Sequence, residues 1–124
     1  MQYRIEADDE FLRVKVSGRD EDRPPSELCV AVLSESTKLG RNRILIELDQ
    51  KSPLSATHQF QLITRLPQIG FTPLHRIALV HSTPEMHEAN QFINLIAENR
   101  GIPVRNFQGV EVAKDWLREE AGAA

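Results

Sequence analysis

The stretch Arg76–Phe107, RIALVHSTPEMHEANQFINLIAENRGIPVRNF, decides how this chain folds. Ile77-Ala78-Leu79-Val80 is an unbroken apolar run between polar ends, so a strand is predicted over 75–81. The next four residues carry two overlapping helix-start signals. Thr83 before Pro84 suits an N-cap, and Ser82 with Glu85 three residues later suits a capping box. The Thr83 register is preferred. Ala89, Phe92, Ile93 and Ile96 then fall on one helical stripe, and the helix is predicted to run to about Arg100. Gly101 stops it, Pro103 prevents its continuation, and Val104–Phe107 reads as a short strand. The stretch is a β-α-β unit.

Outward from it, the chain repeats that logic. After Phe107, Gly109-Val110-Glu111 opens a last helix with Val112, Ala113, Trp116 and Leu117 as its stripe, and the tail 121–124 is expected to fray. Before it, a helix is predicted over about 53–68, with Ser52 as cap ahead of Pro53 and with Phe60, Ile63 and Leu66 on its inner face. Residues 42–48, NRILIEL, are almost continuously apolar, as in a parallel strand covered on both faces. A helix is predicted from about Pro25 to Leu39, with Gly40 as its stop. The loop GRDEDRPP over 18–25 leads into it. At the N-terminus, strands over about 2–6 and 11–17 flank the turn residues Asp8 and Asp9 and form a hairpin. Arg13 and Lys15 lie on its polar, outer face, where they read as solvated or edge-protecting.

The element order β-β-α-β-α-β-α-β-α predicts an α/β fold with a mainly parallel sheet and an opening antiparallel hairpin. A chain of 124 residues is one domain, large enough to bury a core without disulfides or metals. The net charge of −3 argues against a general nucleic-acid binder. The lone Cys29 lies in the apolar run 28–33, reads as a small buried hydrophobe and fits a reducing cytoplasm. That run falls far short of the ~20 residues needed to span a bilayer, so no membrane insertion is expected.

At the level of element order the chain resembles the STAS domain, the fold of anti-sigma-factor antagonists. Its last third is similar to the SpoIIAA-like branch of small bacterial proteins. The features that carry the resemblance are Arg76-Ile77-Ala78-Leu79-Val80, the helix with Phe92, the aromatic-ended strand Val104-Arg105-Asn106-Phe107, and Ala113-Lys114-Asp115-Trp116-Leu117. The resemblance implies a STAS-like domain over 1–120 that acts by binding a protein partner, without enzymatic activity or cofactor. It also implies phosphorylation at the start of the helix after the third strand. The antagonists carry an Asp-Ser-Ser-Gly-like turn there. This chain has Asp49-Gln50-Lys51-Ser52-Pro53-Leu54-Ser55 instead, which leaves Ser52 and Ser55 as phosphoacceptor candidates by position, Ser52 reading first as a cap.

Independent of any family, ligands of open α/β sheets bind outside the carboxyl ends of the strands. Here those ends give Asp49, Lys51, Ser52 and Ser55 on one side and His81, Ser82 and Thr83 on the other. Both lead into helix N-termini that favour an anion. The four histidines show no metal-ligand spacing, and no nucleophile elbow or Gly-rich phosphate loop is present. Two readings follow: a partner-binding module docking through this edge, or a binding protein for a small apolar or lipid-like ligand held between the sheet and the helices with Phe60 and Phe92.

Overall fold

The computed structural model describes residues 2–17, 25–49 and 55–119. The expected elements at 18–24, the helix start at 53, Lys51, Ser52 and the tail 121–124 lie outside those residues. In chain order the elements are β1 (Gln2–Ala7), β2 (Leu12–Ser17), α1 (Pro25–Leu39), β3 (Arg43–Asp49), α2 (Ala56–Ile69), β4 (Arg76–His81), α3 (Pro84–Ala89), α4 (Phe92–Arg100), β5 (Val104–Phe107) and α5 (Val110–Arg118). The five strands lie in the order β1-β2-β3-β4-β5, so neighbours in space are neighbours in sequence. β1 and β2 pair antiparallel and every later pair is parallel.

The hairpin turn forms for the reason its acidic residues suggest. Asp8 Oδ1 accepts from the backbone N–H groups of Glu10 (2.9 Å) and Phe11 (2.7 Å). These two bonds hold the Asp8 carboxyl below its usual range against the opposing effect of burial, which is the largest single influence.

Successive parallel strands step the same way across the sheet. Right-handed crossovers therefore put their connecting helices on one face. That face carries the main core: Leu12, Val14 and Val16 of β2, Ile44 and Ile46 of β3, Ile77 and Leu79 of β4, and Val104 of β5, beneath Val32 of α1, Ile63 and Leu66 of α2, and Ile93 and Ile96 of α4. Among the described helices α5 alone covers part of the opposite face, where Ala113 and Leu117 pack on Phe11, Leu45, Ala78 and Val80. The rest of that face, toward β1, bears Arg4, Glu6, Arg13 and Lys15. Arg13 lies on the second strand, not at the edge, and pairs with Glu47 at 3.2 Å, so its role is to bridge β2 to β3.

Several sequence expectations are corrected. The predicted helix 83–100 is two helices. Asn90, buried at 2% exposure, turns inward between α3 and α4. Its carbonyl is occupied by Ile93 N and by the Asn106 amide, and Asn94 N bonds Gln91 O, so the i→i−4 ladder is interrupted there. α2 starts at Ala56 and its cap is Ser55, whose Oγ accepts from His58 N at 3.2 Å. Phe60 and Phe92 are exposed at 42% and 39%, and Val112 at 61%, so none of them is core. In α1, Val30 and Leu39 face solvent while Ser36 is buried and donates its hydroxyl to Arg41 O at 2.6 Å. A side-chain bond to the chain just beyond the helix lets a polar residue sit on the inner face.

The two sheet edges differ. On β5 the backbone N–H of Val104 bonds Ile102 O and that of Asn106 bonds the Asn94 side chain, so the edge donors are taken. On β1 no strand pairs with the outer side among the described residues.

Candidate functional site

The carboxyl end of β4 and β5 is the part of the sheet with buried polar side chains. Strand alternation explains how they arrive there. Ile77, Leu79 and His81 point to the helix-covered face, as do Val104 and Asn106, and the register sets Leu79 opposite Asn106. The apolar face of each strand thus ends in a polar residue, His81 at 4% exposure and Asn106 at 4%.

A directed chain of hydrogen bonds joins them to the break between α3 and α4. Asn106 Nδ2 donates to the Asn90 carbonyl at 2.6 Å, which fixes the amide orientation because a carbonyl can only accept. Asn106 Oδ1 therefore faces His81 Nε2 at 2.9 Å and accepts from it. The bond puts a proton on His81 Nε2, and in the neutral ring, which burial favours, Nδ1 keeps an acceptor lone pair. No described residue bonds that Nδ1. Further out, Asn94 Oδ1 takes the Asn106 backbone N–H at 2.8 Å and Asn94 Nδ2 donates to Gln91 Oε1 at 2.8 Å. The remaining Gln91 amine meets His87 Nε2. Gln59 of α2, itself buried, donates to Ala89 O at 3.2 Å and ties α2 to the end of α3.

His81 and Asn90 form the polar end of a cavity of about 80 Å³ under α1, α2 and α4. Its other walls are apolar: Val16, Leu28, Val32, Ile46, Leu62, Ile63, Leu66, Leu79 and Ile93 among them, with Cys29. Helices α2 and α4 do contribute walls, but through Leu62, Ile63 and Ile93 and not through Phe60 or Phe92. Burial pushes the Cys29 thiol up to about 11, and no neighbouring cation or imidazole opposes it. Cys29 is therefore a protonated, half-buried wall group.

Burial is also the largest influence on His81. It pushes the imidazole below its ordinary value of 6.5; the Asn106 bond opposes this and His87 adds to it. The sign of the linkage follows. Below 6.5 the unfolded chain binds a proton that the folded chain resists, so His81's contribution is fully present above 6.5 and is lost as pH falls toward and through the depressed folded value. Urea midpoints measured on both sides of 6.5 should fall on the acid side. His81→Gln, which keeps a donor for Asn106 and does not titrate, should flatten that fall. An unchanged acid slope in the variant would place the titration elsewhere.

The other expected residues take separate places. Thr83 caps α3, its Oγ1 accepting from Met86 N at 3.2 Å, as the preferred register requires. Ser82 is exposed and donates its N–H to Leu48 O at 2.9 Å, joining β4's end to β3. Asp49 and Ser55 are exposed. Of the nominated residues that the structure describes, His81 alone lines the cavity. Its partner Asn106 and the amides bonded around it, Asn90, Gln91 and Asn94, were missed, and the signal available was three amides (Asn90, Gln91, Asn94) in the middle of a predicted helix, where amides compete with the backbone. Among the described residues no helix is long and apolar enough to cross a membrane. No protein-family model, no curated protein and no solved structure matches the chain, so the site rests on its own geometry.

Proposed function

We propose that the chain is a STAS-like, non-enzymatic binding module, and that it binds a small apolar molecule carrying one hydrogen-bond donor. The observation that carries this reading is an apolar cavity ended by a buried histidine with an acceptor nitrogen and no bonded partner among the described residues. A neutral imidazole in an apolar wall rewards a hydroxyl or N–H and discriminates against an isostere that lacks it. The volume sets the scale. An engineered cavity about twice as large holds benzene, so the inserted group has about three to five non-hydrogen atoms. The protonated state of Cys29 supports binding over thiolate chemistry. The element order supports the STAS-like assignment.

Titration with 1-butanol and with methyl propyl ether, which has the same heavy-atom count but no donor, tests the proposal. 1-Butanol should shift the His81 ring and the methyl signals of Ile63, Leu79 and Ile93 in NMR spectra and raise the melting temperature. The ether should bind about tenfold or more weakly, the penalty of one unpaired buried acceptor. His81→Leu should abolish the preference. Absence of any shift in those methyls, with no bound mass in native mass spectra of freshly purified protein, sinks the idea.

A second reading has its own support. Phe60, Phe92 and Leu95 expose large apolar surface on α2 and α4, the helices that wall the cavity. A regulatory protein partner docking on these helices would sense whether the cavity beneath them is filled. Phosphorylation of Ser55 would act on the same helix by replacing its capping hydroxyl.

A further inference from the structure

We infer that the chain forms a homodimer by antiparallel pairing of β1 with β1 of a second copy, making one continuous sheet. The inference is independent of what the cavity binds.

The argument starts from the contrast between the edges. A sheet edge with free N–H and C=O groups is a template for another strand, and proteins blunt edges they do not use. β5 is short, and the N–H groups of Val104 and Asn106 are both consumed locally. β1 has six residues, no proline and no positive-φ residue, and its outer side carries no partner strand among the described residues.

The direction of its free groups follows from the turn. Asp8 N bonds Phe11 O across the hairpin at 3.0 Å. In an antiparallel ladder such pairs alternate, so Glu6 and Arg4 bond β2 while Tyr3, Ile5 and Ala7 turn their N–H and C=O outward. A two-fold partner must therefore pair these outward residues with one another. Three registers bring at least two of the three outward residues into pairs. Centring on Arg4 sets Arg4 against Arg4 of the second copy, and centring on Glu6 sets Glu6 against Glu6; like charges directly opposite are unfavourable. Centring on Ile5 sets Ile5 against Ile5, Tyr3 against Ala7, and Arg4 against Glu6 twice, once on each side of the axis. That register satisfies all three outward residues and makes every charge complementary. Among the described residues Arg4 and Glu6 form an ion pair only with each other, at 3.9 Å, and they are exposed at 75% and 68%, so both are available. The partner is identified by this palindromic Arg-Ile-Glu pattern: it is a second copy of the same strand.

Sedimentation equilibrium of the full chain, over a range of concentrations, tests the inference. The expected mass at the upper end is two 14.1 kDa chains. Glu6→Arg and, separately, Arg4→Glu each put like charges opposite one another twice and should return the mass to one chain, with the far-ultraviolet circular dichroism unchanged. The double swap Arg4→Glu/Glu6→Arg restores complementarity and should restore the dimer. A wild-type chain that stays monomeric throughout overturns the inference and leaves the edge to a strand from another protein. A dimer that persists in both single variants, or a double swap that fails to recover it, overturns the register and with it the pairing.

Discussion

Asn106→Ala is expected to lower the unfolding free energy by about 1–3 kcal/mol, read as a fall in the urea midpoint with an unchanged slope. The side chain is small and sits on a four-residue strand, so lost packing cannot explain a loss of that size. The cause is one stranded group. His81 Nε2–H loses its acceptor, while the Asn90 carbonyl loses the Asn106 amide but keeps the N–H of Ile93. The His81 donor is buried, and an unsatisfied buried group costs about 1–3 kcal/mol. Asn99→Ala, on the exposed side of α4, should stay within about 0.5 kcal/mol. An Asn106→Ala midpoint equal to that of Asn99→Ala would mean that the network does not hold the α3–α4 break in place.

Leu117→Ala is expected to cost about 3 kcal/mol, within the usual 2–5 kcal/mol of a buried Leu truncation. Leu117 is fully buried, and with Ala113 it is the buried part of the apolar contact of α5 with Leu45, Ala78 and Val80, flanked by the half-buried Val110 and Trp116. Among the described residues no other helix stands on that face to close the gap, so relaxation is limited. Val112→Ala on the same helix should change stability by about 0.5 kcal/mol or less, because Val112 faces solvent. Equal losses from the two variants would contradict the facing of α5 in the structure.

That pair of residues also shows where sequence reading succeeds and where it stops. Val112, Ala113, Trp116 and Leu117 share a stripe by spacing, but a stripe is wider than the contact, and the position of α5 over β3 and β4 decides which edge of it is buried. The same limit applies to Phe60 and Phe92, whose neighbours Ile63 and Ile93 took the inner positions. The β4 strand, the Thr83 cap and the Gly101 stop were legible because each is a local signal. The break at Asn90 was not, because it exists through a bond to Asn106 sixteen residues away. In the site, the rule that ligands gather at carboxyl ends of strands singled out His81. It could not supply the tautomer, which depends on the orientation of an amide on another strand.

The sequential strand order has a consequence for how the chain reaches this structure. Each strand pairs with the one just before it, and each pairing closes the shortest loop that a hairpin or a single helical crossover permits. The entropy of loop closure is therefore met in small successive steps, and no contact between distant ends of the chain must form first. Parallel sheets as a class fold slowly because their pairings are remote. This one can grow from the hairpin strand by strand, each new crossover helix covering the strand just added.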